Sequence, residues 1–384
     1  MHASRRQTRL NIMKRVILSG GGTGGHIYPA VAVAEALVRM LGEEVEVLFV
    51  GAEGKMEMEK IPALGYNIVG LPIIGMQRRL TWKNLSLPLR VAKSIRRARE
   101  VITQFRPDVV AGFGGYASAP VLWAAQRAGI PTLLQEQNSY AGLANKLLAR
   151  RARKICVAYE GMDKFFPAER ITLTGNPLRG KLGRTRTDRA EALAYYGFTD
   201  QMPVLLVVGG SLGTRTLNNM MKSWIVTLGG KAPVQVIWQT GKFYEKEMRD
   251  FAKAYPTDNI RQTAFIERMD YAYAAADLVI SRSGACTVSE LCLAGKPVIF
   301  VPSPNVAEDH QTKNARALSD NGAAVTIADK DAVECAMDTA LDLLGNTKKL
   351  KALASNIRKL AIADSADRVA AEIVNLMGRS GGEQ

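Results

Sequence analysis

The sequence of 384 residues is poor in cysteine and histidine and contains no long apolar run. Its four cysteines form no C-x-x-C pair, which argues against a disulfide scaffold and indicates a reducing, cytoplasmic setting. With three histidines and no His/Cys cluster, we expect no structural zinc site. No window approaches the ~20 consecutive apolar residues of a membrane-spanning helix, so we expect no segment to cross a bilayer.

Basic residues greatly outnumber acidic ones. Lys and Arg number 51 against 36 Asp and Glu, which gives a net charge of +15 and an isoelectric point near 9.7. Such an excess attracts polyanions, whether nucleic acid, anionic lipid or phosphorylated substrates. The hydrophobic share of 47% and the charged share of 23% are typical of a globular protein, and the length predicts two or three domains.

Short apolar runs followed by glycine-rich loops and helical stretches recur along the chain. The runs begin near residues 15, 45, 107, 131 and 154, and again near 203, 234, 277, 297 and 323. This alternation predicts two doubly wound α/β domains in tandem. We expect a disordered leader over 1–13, a first domain over 14–176, a second domain over 177–364, and a helix over 365–378 that packs back on the first domain.

The loop 20–25 (GGGTGG) matches the G-x-G-x-x-G pattern of a dinucleotide site. Glycines let the backbone approach a pyrophosphate, and the start of the next helix supplies N–H groups and positive dipole. NAD would also require an acidic residue that closes the second strand, and Glu53 lies three residues too late. A tight turn without a ligand is the other alternative.

Three further glycine loops weaken the NAD interpretation. They lie at residues 112–116, 209–213 and 281–285, and each is expected at the carboxyl end of a strand. Two Rossmann-like doubly wound domains that face each other across a cleft would then bind a nucleotide-sugar and a second anionic substrate. This is the plan of a two-domain glycosyltransferase.

Seven motifs, in order and spacing, are similar to those of one enzyme family. They are GGGTGGHIYPA, GFGGYASAP, QEQNSYAGLANK, TGNPLR, VVGGSLGTRTLN, RSGACTVSE and DHQTKNA. They resemble the UDP-N-acetylglucosamine transferases that convert lipid I to lipid II in peptidoglycan synthesis (the MurG family). The resemblance implies a GT-B fold and inverting transfer of N-acetylglucosamine to the 4-hydroxyl of undecaprenyl-pyrophosphoryl-muramyl-pentapeptide, with no metal or cofactor. It also implies a peripheral position on the cytoplasmic face of the inner membrane, no nucleic-acid partner, and other cell-wall synthesis enzymes as candidate partners.

The resemblance assigns UDP-N-acetylglucosamine mainly to the second domain. Ser211 would contact a phosphate, and a helix N-cap is the alternative. Glu290 would accept hydrogen bonds from the ribose hydroxyls, and a capping box with Thr287 is the alternative. Ile266 would meet uracil through its backbone, and Gln311 would bind a sugar hydroxyl. The other residues expected at the donor are Arg179 (in the interdomain linker), Ala285, Cys286, Thr287, Val288 and Ser289. Thr23, Gly24 and Gly25 would cradle the acceptor diphosphate or touch the donor sugar, and Asn138 would contact the donor sugar or the acceptor.

Inverting transfer needs a base for the 4-hydroxyl proton and electrostatic stabilisation of the departing UDP. His26, at the end of the first glycine loop, is the candidate base, and a backbone or phosphate contact is its alternative role. Glu136 is the alternative base. The acceptor is expected to contact Gly114, Gly115 and Tyr116.

The segment 78–99 carries eight basic residues and no acidic one, interleaved with leucines and a tryptophan. This composition is typical of an interfacial anchor on anionic lipid. A basic amphipathic helix over a sheet and a nucleic-acid patch are the alternatives. We expect an anionic membrane surface to be contacted by Arg78, Arg79, Leu80, Trp82 and Leu85.

Other functions remain compatible with these patterns. A transferase for another lipid or aglycone and a UDP-sugar 2-epimerase share the expected fold. A basic nucleotide-binding protein that docks on a membrane or on nucleic acid is the non-enzymatic alternative.

Overall fold

The computed structural model describes residues 13–73, 87–178 and 187–379. The chain divides into two compact α/β units. The first comprises Met1–Gln137, Ala141–Arg179 and Asp364–Gln384, and the second comprises Asn138–Tyr140 and Gly180–Ala363. Within the described ranges, no helix combines the length and the apolar character needed to span a membrane.

The first unit is built around parallel strands. Its strands and helices are β1 (Lys14–Ser19), α1 (Gly24–Leu41), β2 (Val45–Ala52), α2 (Glu57–Lys60), β3 (Asn67–Leu71), α3 (Leu87–Phe105), β4 (Val109–Gly112), α4 (Ser118–Arg127), β5 (Thr132–Glu136), α5 (Leu143–Ala149), β6 (Lys154–Val157), β7 (Ile171–Leu173) and α14 (Ser365–Arg379). The described strands pair in the order β3-β2-β1-β4-β5-β6-β7. Chain order therefore reverses between β1 and β4, and ligands of such sheets bind at this switch point.

Strand β1 shows why these residues form a central strand. Val16, Ile17 and Leu18 are completely buried, as expected for a parallel strand that is covered on both faces. Ser19, at the end of β1, pairs with Val50 of β2 and with Gly112 of β4. The loops that follow β1 and β4 therefore leave the sheet side by side.

The C-terminal helix α14 belongs to the first unit, where it packs on α1. Val369 and Ile373 are completely buried in the same apolar cluster as Val33 and Leu37 of α1. Complete burial of each such side chain stabilises a fold by about 1.5–3 kcal/mol. Helix α1, whose first turn carries His26, is thereby held between the sheet and α14.

The second unit repeats this architecture. Its elements are α6 (Arg189–Tyr196), β8 (Val204–Val208), α7 (Arg215–Thr227), β9 (Lys231–Gln239), α8 (Glu245–Ala254), β10 (Asp258–Thr263), α9 (Met269–Ala275), β11 (Leu278–Ser281), α10 (Ala285–Ala294), β12 (Val298–Phe300), α11 (His310–Ser319), β13 (Val325–Thr326), α12 (Ala332–Leu344) and α13 (Thr347–Lys359). The described strands are parallel in the order β10-β9-β8-β11-β12-β13. The switch point lies between β8 and β11, where Val208 pairs with Ser281.

Candidate functional site

The switch point of the first unit is formed by the glycine loop 20–25 and the turn after β4. Gly114 and Gly115 of this turn have φ values of +88° and +81°. A Cβ atom on Gly115 would lie 2.1 Å from the carbonyl oxygen of Gly21, and one on Gly114 would lie 2.9 Å from Cδ2 of His26. Glycine at these two positions therefore lets the turn pack against the loop and the imidazole ring.

His26 lies in the first turn of α1, directly after the glycine loop. Its Nδ1 atom is 3.1 Å from the carbonyl oxygen of Gly21 and 3.2 Å from Oγ1 of Thr23. A carbonyl oxygen can only accept, so this hydrogen bond places the proton of a neutral imidazole on Nδ1. Nε2, which lies on the side of the ring toward Gly114, then carries the lone pair.

Glu57 was not identified by the sequence analysis, yet it supports the same loop. Its side chain is completely buried. Oε1 accepts hydrogen bonds from the backbone N–H groups of Ala52 (3.0 Å) and Gly22 (3.1 Å), and Oε2 lies 3.2 Å from the latter nitrogen. A Cβ atom on Gly21 would lie 2.2 Å from Oε1, so the loop glycine leaves room for the carboxylate. No signal in the sequence MEMEK separates Glu57 from Glu59.

Glu136 ends β5 and is buried. Its Oε2 atom accepts hydrogen bonds from Nδ2 of Asn145 (2.8 Å) and from the backbone N–H of Gly142 (3.1 Å). The neighbouring Gln137 donates from Nε2 to the carbonyl oxygen of Phe113 at 2.7 Å. These polar groups fix the loop after β5 and the turn after β4.

Asn138, expected at the donor or acceptor, belongs with its two successors to the second unit. Asn314 of α11 holds this segment: its Oδ1 accepts from the backbone N–H of Ser139 (3.0 Å), and its Nδ2 donates to Oδ1 of Asn138 (3.1 Å). Nδ2 also lies 3.3 Å from the carbonyl oxygen of Ser283, just before α10. Asn314 lies in the DHQTKNA motif, but the sequence did not indicate its role.

A pocket of about 620 Å³ opens at the switch point of the second unit. Gly210, Thr214, Gly284 and Gln311 are among the residues that line it. Helices α7 and α10 both begin here, after the N-cap residues Thr214 and Gly284, and neither cap contributes a side-chain hydrogen bond to its helix. Two helix N-termini at one pocket favour binding of an anion such as a diphosphate.

The helix starts contradict two alternative roles. Ser211 lies exposed at the tip of the second glycine loop, three residues before the N-cap Thr214, so its N-cap role is wrong. The capping box of Thr287 and Glu290 is also wrong, because α10 begins at Ala285 and Thr287 already lies in its first turn. The capping-box alternative takes Thr287 as the N-cap residue and therefore places the start of α10 too late. The residue that precedes the first turn is Gly284.

Glu290 accepts a hydrogen bond at Oε2 from the hydroxyl of Tyr273, over 3.1 Å. Removal from water raises the pKa of Glu290 to about 7, and the hydrogen bond from Tyr273 partly opposes this shift. Burial raises the pKa of Tyr273 well above its usual range, and the nearby carboxylate adds to the effect. The carboxyl group of Glu290 therefore changes its charge near neutral pH.

Gln311 lines the pocket directly, whereas Ile266 is connected to its glycine loop through Gln239. The backbone N–H of Ile266 donates to Oε1 of Gln239 at 3.4 Å, and Nε2 of Gln239 donates to the carbonyl oxygen of Gly210 at 2.8 Å. Gln311 lies in the first turn of α11, and its Oε1 accepts from the backbone N–H of Ser303 at 2.9 Å. Gln239 thus connects the loop after β10 with the second glycine loop.

The remaining candidates fall into three groups. Thr23, Gly24 and Gly25 lie at the start of α1, with Thr23 as its N-cap. Ala285 to Ser289 occupy the first turns of α10, and burial raises the pKa of the Cys286 thiol to about 12. Arg179 and the proposed anchor residues Arg78, Arg79, Leu80, Trp82 and Leu85 lie outside the described residues.

Two parts of the chain match the two domains of one protein family. Residues 16–157 match the glycosyltransferase family 28 N-terminal domain, and residues 204–369 match the glycosyltransferase family 28 C-terminal domain. The chain belongs to glycosyltransferase family 28. The first glycine loop and His26 lie in its N-terminal domain, and Ser211, Glu290 and Gln311 lie in its C-terminal domain.

Relatives in this family are similar over almost the whole chain. The UDP-N-acetylglucosamine–N-acetylmuramyl-(pentapeptide) pyrophosphoryl-undecaprenol N-acetylglucosamine transferase of Parabacteroides distasonis is 53% identical over 95% of this chain and 99% of its own length. The enzyme of the same name from Porphyromonas gingivalis is 54% identical over 96% of this chain and 97% of its own length.

A solved structure supports the same relationship. The crystal structure of MurG from Acinetobacter baumannii has a TM-score of 0.75 and 30% identity, and the match covers 94% of this chain and 99% of that chain. Together with the family domains, these similarities confirm the family, the two doubly wound α/β domains and the glycosyltransferase class predicted from the sequence.

Proposed function

We propose that this family 28 chain transfers N-acetylglucosamine from UDP-N-acetylglucosamine to the 4-hydroxyl of undecaprenyl-pyrophosphoryl-N-acetylmuramyl-pentapeptide. This reaction converts lipid I to lipid II in peptidoglycan synthesis. The observation that carries the proposal is 53% identity, over 95% of the chain, to an enzyme whose name states these substrates. The alternative transferases and the 2-epimerase are supported by fold alone.

The second unit supplies the donor site in this proposal. The N-termini of α7 and α10, with Ser211, bind the diphosphate at the pocket of the second unit. Glu290 accepts from the ribose hydroxyls, the backbone of Ile266 meets the uracil, and Gln311 binds a sugar hydroxyl. The guanidinium of Arg282 also lines this pocket and is held by Asp329 at 2.6 Å. Its positive charge would stabilise the UDP that departs.

The first unit supplies the acceptor site. The 4-hydroxyl oxygen attacks the anomeric carbon from the face opposite UDP, and the new bond forms as the bond to the β-phosphate oxygen breaks. The electron pair of the broken bond leaves with UDP, and the hydroxyl proton passes to Nε2 of His26. Attack from the opposite face inverts the configuration. The acceptor's diphosphate would lie against the start of α1, beside Gly115 and the exposed Tyr116.

The hydrogen bonds favour His26 over Glu136 as the base. In His26 the contact from Nδ1 to Gly21 selects the tautomer whose Nε2 can take a proton. In Glu136, Oε2 accepts from Asn145 and Gly142, which favours a positioning role for this carboxylate. Glu136 remains the second residue to test.

An assay of donor cleavage tests the substrates. We expect UDP to be released from UDP-N-acetylglucosamine only when a lipid I analogue is present, with one disaccharide product formed for each UDP. Epimerisation of the donor without an acceptor would instead identify a 2-epimerase. Equal turnover with unrelated lipid or aglycone acceptors would contradict the specificity for lipid I.

We further propose that the chain acts as a peripheral protein on the cytoplasmic face of the inner membrane. The described residues add a surface that is both basic and apolar. On α5, Leu143 and Leu147 lie one turn apart and are 65% and 72% exposed, and the exposed Arg150 and Arg151 follow directly. Exposed leucines beside arginines suit insertion at the interface of an anionic membrane.

Replacing Leu143 and Leu147 together by glutamine should weaken binding to vesicles that contain anionic lipid about 10-fold, because each leucine contributes apolar area. Turnover of a short-chain, water-soluble acceptor should be unchanged. Vesicle co-sedimentation at physiological salt measures the first effect and UDP release the second. Leu360→Gln, at an exposed leucine of the second unit, is the matched control. Undiminished vesicle binding by the double variant would remove α5 from the proposed anchor.

A further inference from the structure

We propose that Glu57 acts on His26 through the peptide group that joins Gly21 to Gly22, and that it is a positioning residue for the proton acceptor. The inference deepens the proposed function, because it rests on His26 as the base. Glu57 itself touches neither substrate in this arrangement. It sets the direction and basicity of the imidazole from behind the glycine loop.

The relay consists of two hydrogen bonds on one peptide group. The N–H of Gly22 donates to the carboxylate of Glu57 (3.1 Å to Oε1), and the carbonyl oxygen of Gly21 accepts from Nδ1 of His26 (3.1 Å). These N–H and C=O groups belong to the same planar unit, so a bond at one end polarises the other. A carboxylate on the N–H makes the carbonyl oxygen a stronger acceptor for the imidazole proton.

This arrangement resembles a hydrogen-bonded carboxylate–histidine pair, except that one peptide group lies between the carboxylate and the imidazole. In such pairs the carboxylate holds the imidazole in one tautomer and stabilises the imidazolium that forms during catalysis. Here the carbonyl oxygen of Gly21 makes the direct contact with Nδ1, and Glu57 supplies the negative charge one bond further away. The charge lies on the Nδ1 side of the ring, so it favours proton uptake at Nε2.

The packing shows that the loop is built around this carboxylate. Glu57 is completely buried, and Cβ atoms on Gly21 and Gly51 would lie 2.2 Å from its Oε1 and 2.5 Å from its Cγ. A buried carboxylate is costly unless hydrogen bonds compensate it. Ala52 and Gly22 provide those bonds, and only the bond to Gly22 leads to His26.

Among the described residues, Glu57 is the carboxylate that accepts a hydrogen bond from the first glycine loop. Tyr28 lies beside Gly24, and Tyr116 lies beside Gly22. Glu136, at the end of β5, accepts at Oε2 from Asn145 and Gly142.

The test uses Glu57→Gln in the full-length chain, because glutamine keeps the shape and an acceptor oxygen while it removes the charge. We expect kcat to fall about 10-fold with the KM of both substrates nearly unchanged. The acidic limb of the kcat/KM profile should move to lower pH by roughly half a unit, because loss of a nearby negative charge lowers the pKa of an imidazolium. Glu59→Gln, on the same helix but exposed, is the matched control and should behave as the wild type.

A double-mutant cycle distinguishes the relay from simple structural support. In a His26→Ala background, Glu57→Gln should reduce kcat no further, because the relay acts only through the imidazole. A further 10-fold loss in that background would overturn the proposal and assign Glu57 to the loop fold alone.

Nitrogen-15 NMR of the imidazole rings gives a readout that needs no activity. The chain has three histidines, so His26→Ala identifies the signal of His26. We expect the Nδ1–H tautomer in the wild type, and a lower imidazolium pKa in Glu57→Gln. A dominant Nε2–H tautomer in the wild type would overturn the relay even if Glu57→Gln failed to fold. An unchanged imidazolium pKa in folded Glu57→Gln would overturn it as well. If instead these signals behave as expected and His26→Ala keeps full kcat, the relay stands and the assignment of His26 as base fails.

Discussion

Replacing His26 with alanine should lower kcat by about two to four orders of magnitude and leave donor affinity nearly unchanged. Proton removal from the 4-hydroxyl is needed only on the way to the transition state, so its loss falls on kcat. The acidic limb of the kcat/KM profile should vanish with the imidazole. Steady-state kinetics with a soluble lipid I analogue measures kcat, and calorimetric titration with UDP-N-acetylglucosamine measures donor binding.

A phosphate contact by His26 would give a different pattern. The loss would then fall on the KM of the acceptor, asparagine would restore much of it by hydrogen bonding, and binding would strengthen toward low pH. A near-normal kcat with an intact acidic limb would exclude His26 as the base. Glu136→Gln is the variant to compare, and we expect it to destabilise the protein more than it changes the pH profile, since its Oε2 binds Asn145 and Gly142.

The central strands were predictable from sequence because they are buried on both faces and read as continuous apolar runs, as RVILS and PVLLVV do. The strands that the sequence analysis missed are β3, β7 and β10, which lie at sheet edges. An edge strand is only partly covered, so its residues need not be apolar. The sequence DNIRQT of β10 is the clearest case.

The parts of the candidate site that require glycine could be predicted from the sequence. The contacts between side chains and loops that are far apart in the sequence could not. Gly114 and Gly115 need left-handed backbone and close approach, which leaves a recognisable sequence signal. Glu57 meets Gly22 from 35 residues away, and Asn314 meets Ser139 from 175 residues away. Such contacts are decided by tertiary packing, so the local letters around Glu57 and Asn314 carry no sign of them.

Replacing Glu290 with alanine should raise the KM for UDP-N-acetylglucosamine at least about 100-fold, since each of its two ribose hydrogen bonds contributes about 1.5–3 kcal/mol as a bond to a charged group. We expect kcat to change little, because a ribose contact is made equally in the ground and transition states. The intact donor is the correct probe, since its diphosphate is a diester and does not titrate near neutral pH. Unchanged donor binding with lower thermal stability alone would assign Glu290 a purely structural role.

The pH dependence of this effect follows from the raised pKa of Glu290, about 7. The ionised carboxylate is the better acceptor for both ribose hydroxyls, so donor affinity should weaken as pH falls through about 7, and Glu290→Gln should abolish this dependence. Tyr273→Phe is the matched variant: it removes the hydrogen bond that lowers the pKa of Glu290, so the midpoint should move to higher pH.

The free energy of unfolding, measured without donor, should depend on pH in the opposite direction from donor affinity. A carboxyl group with an ordinary pKa of 4.5 in the unfolded chain and about 7 in the folded one binds its proton more tightly when folded. The contribution of Glu290 to stability therefore falls as pH rises from about 4.5 to 7, and Glu290→Gln should remove that decline. Denaturant unfolding at a series of pH values measures it. A donor KM that stays level from pH 6 to 8 in the wild type, together with an unchanged stability profile in Glu290→Gln, would exclude a titrating Glu290 at the ribose.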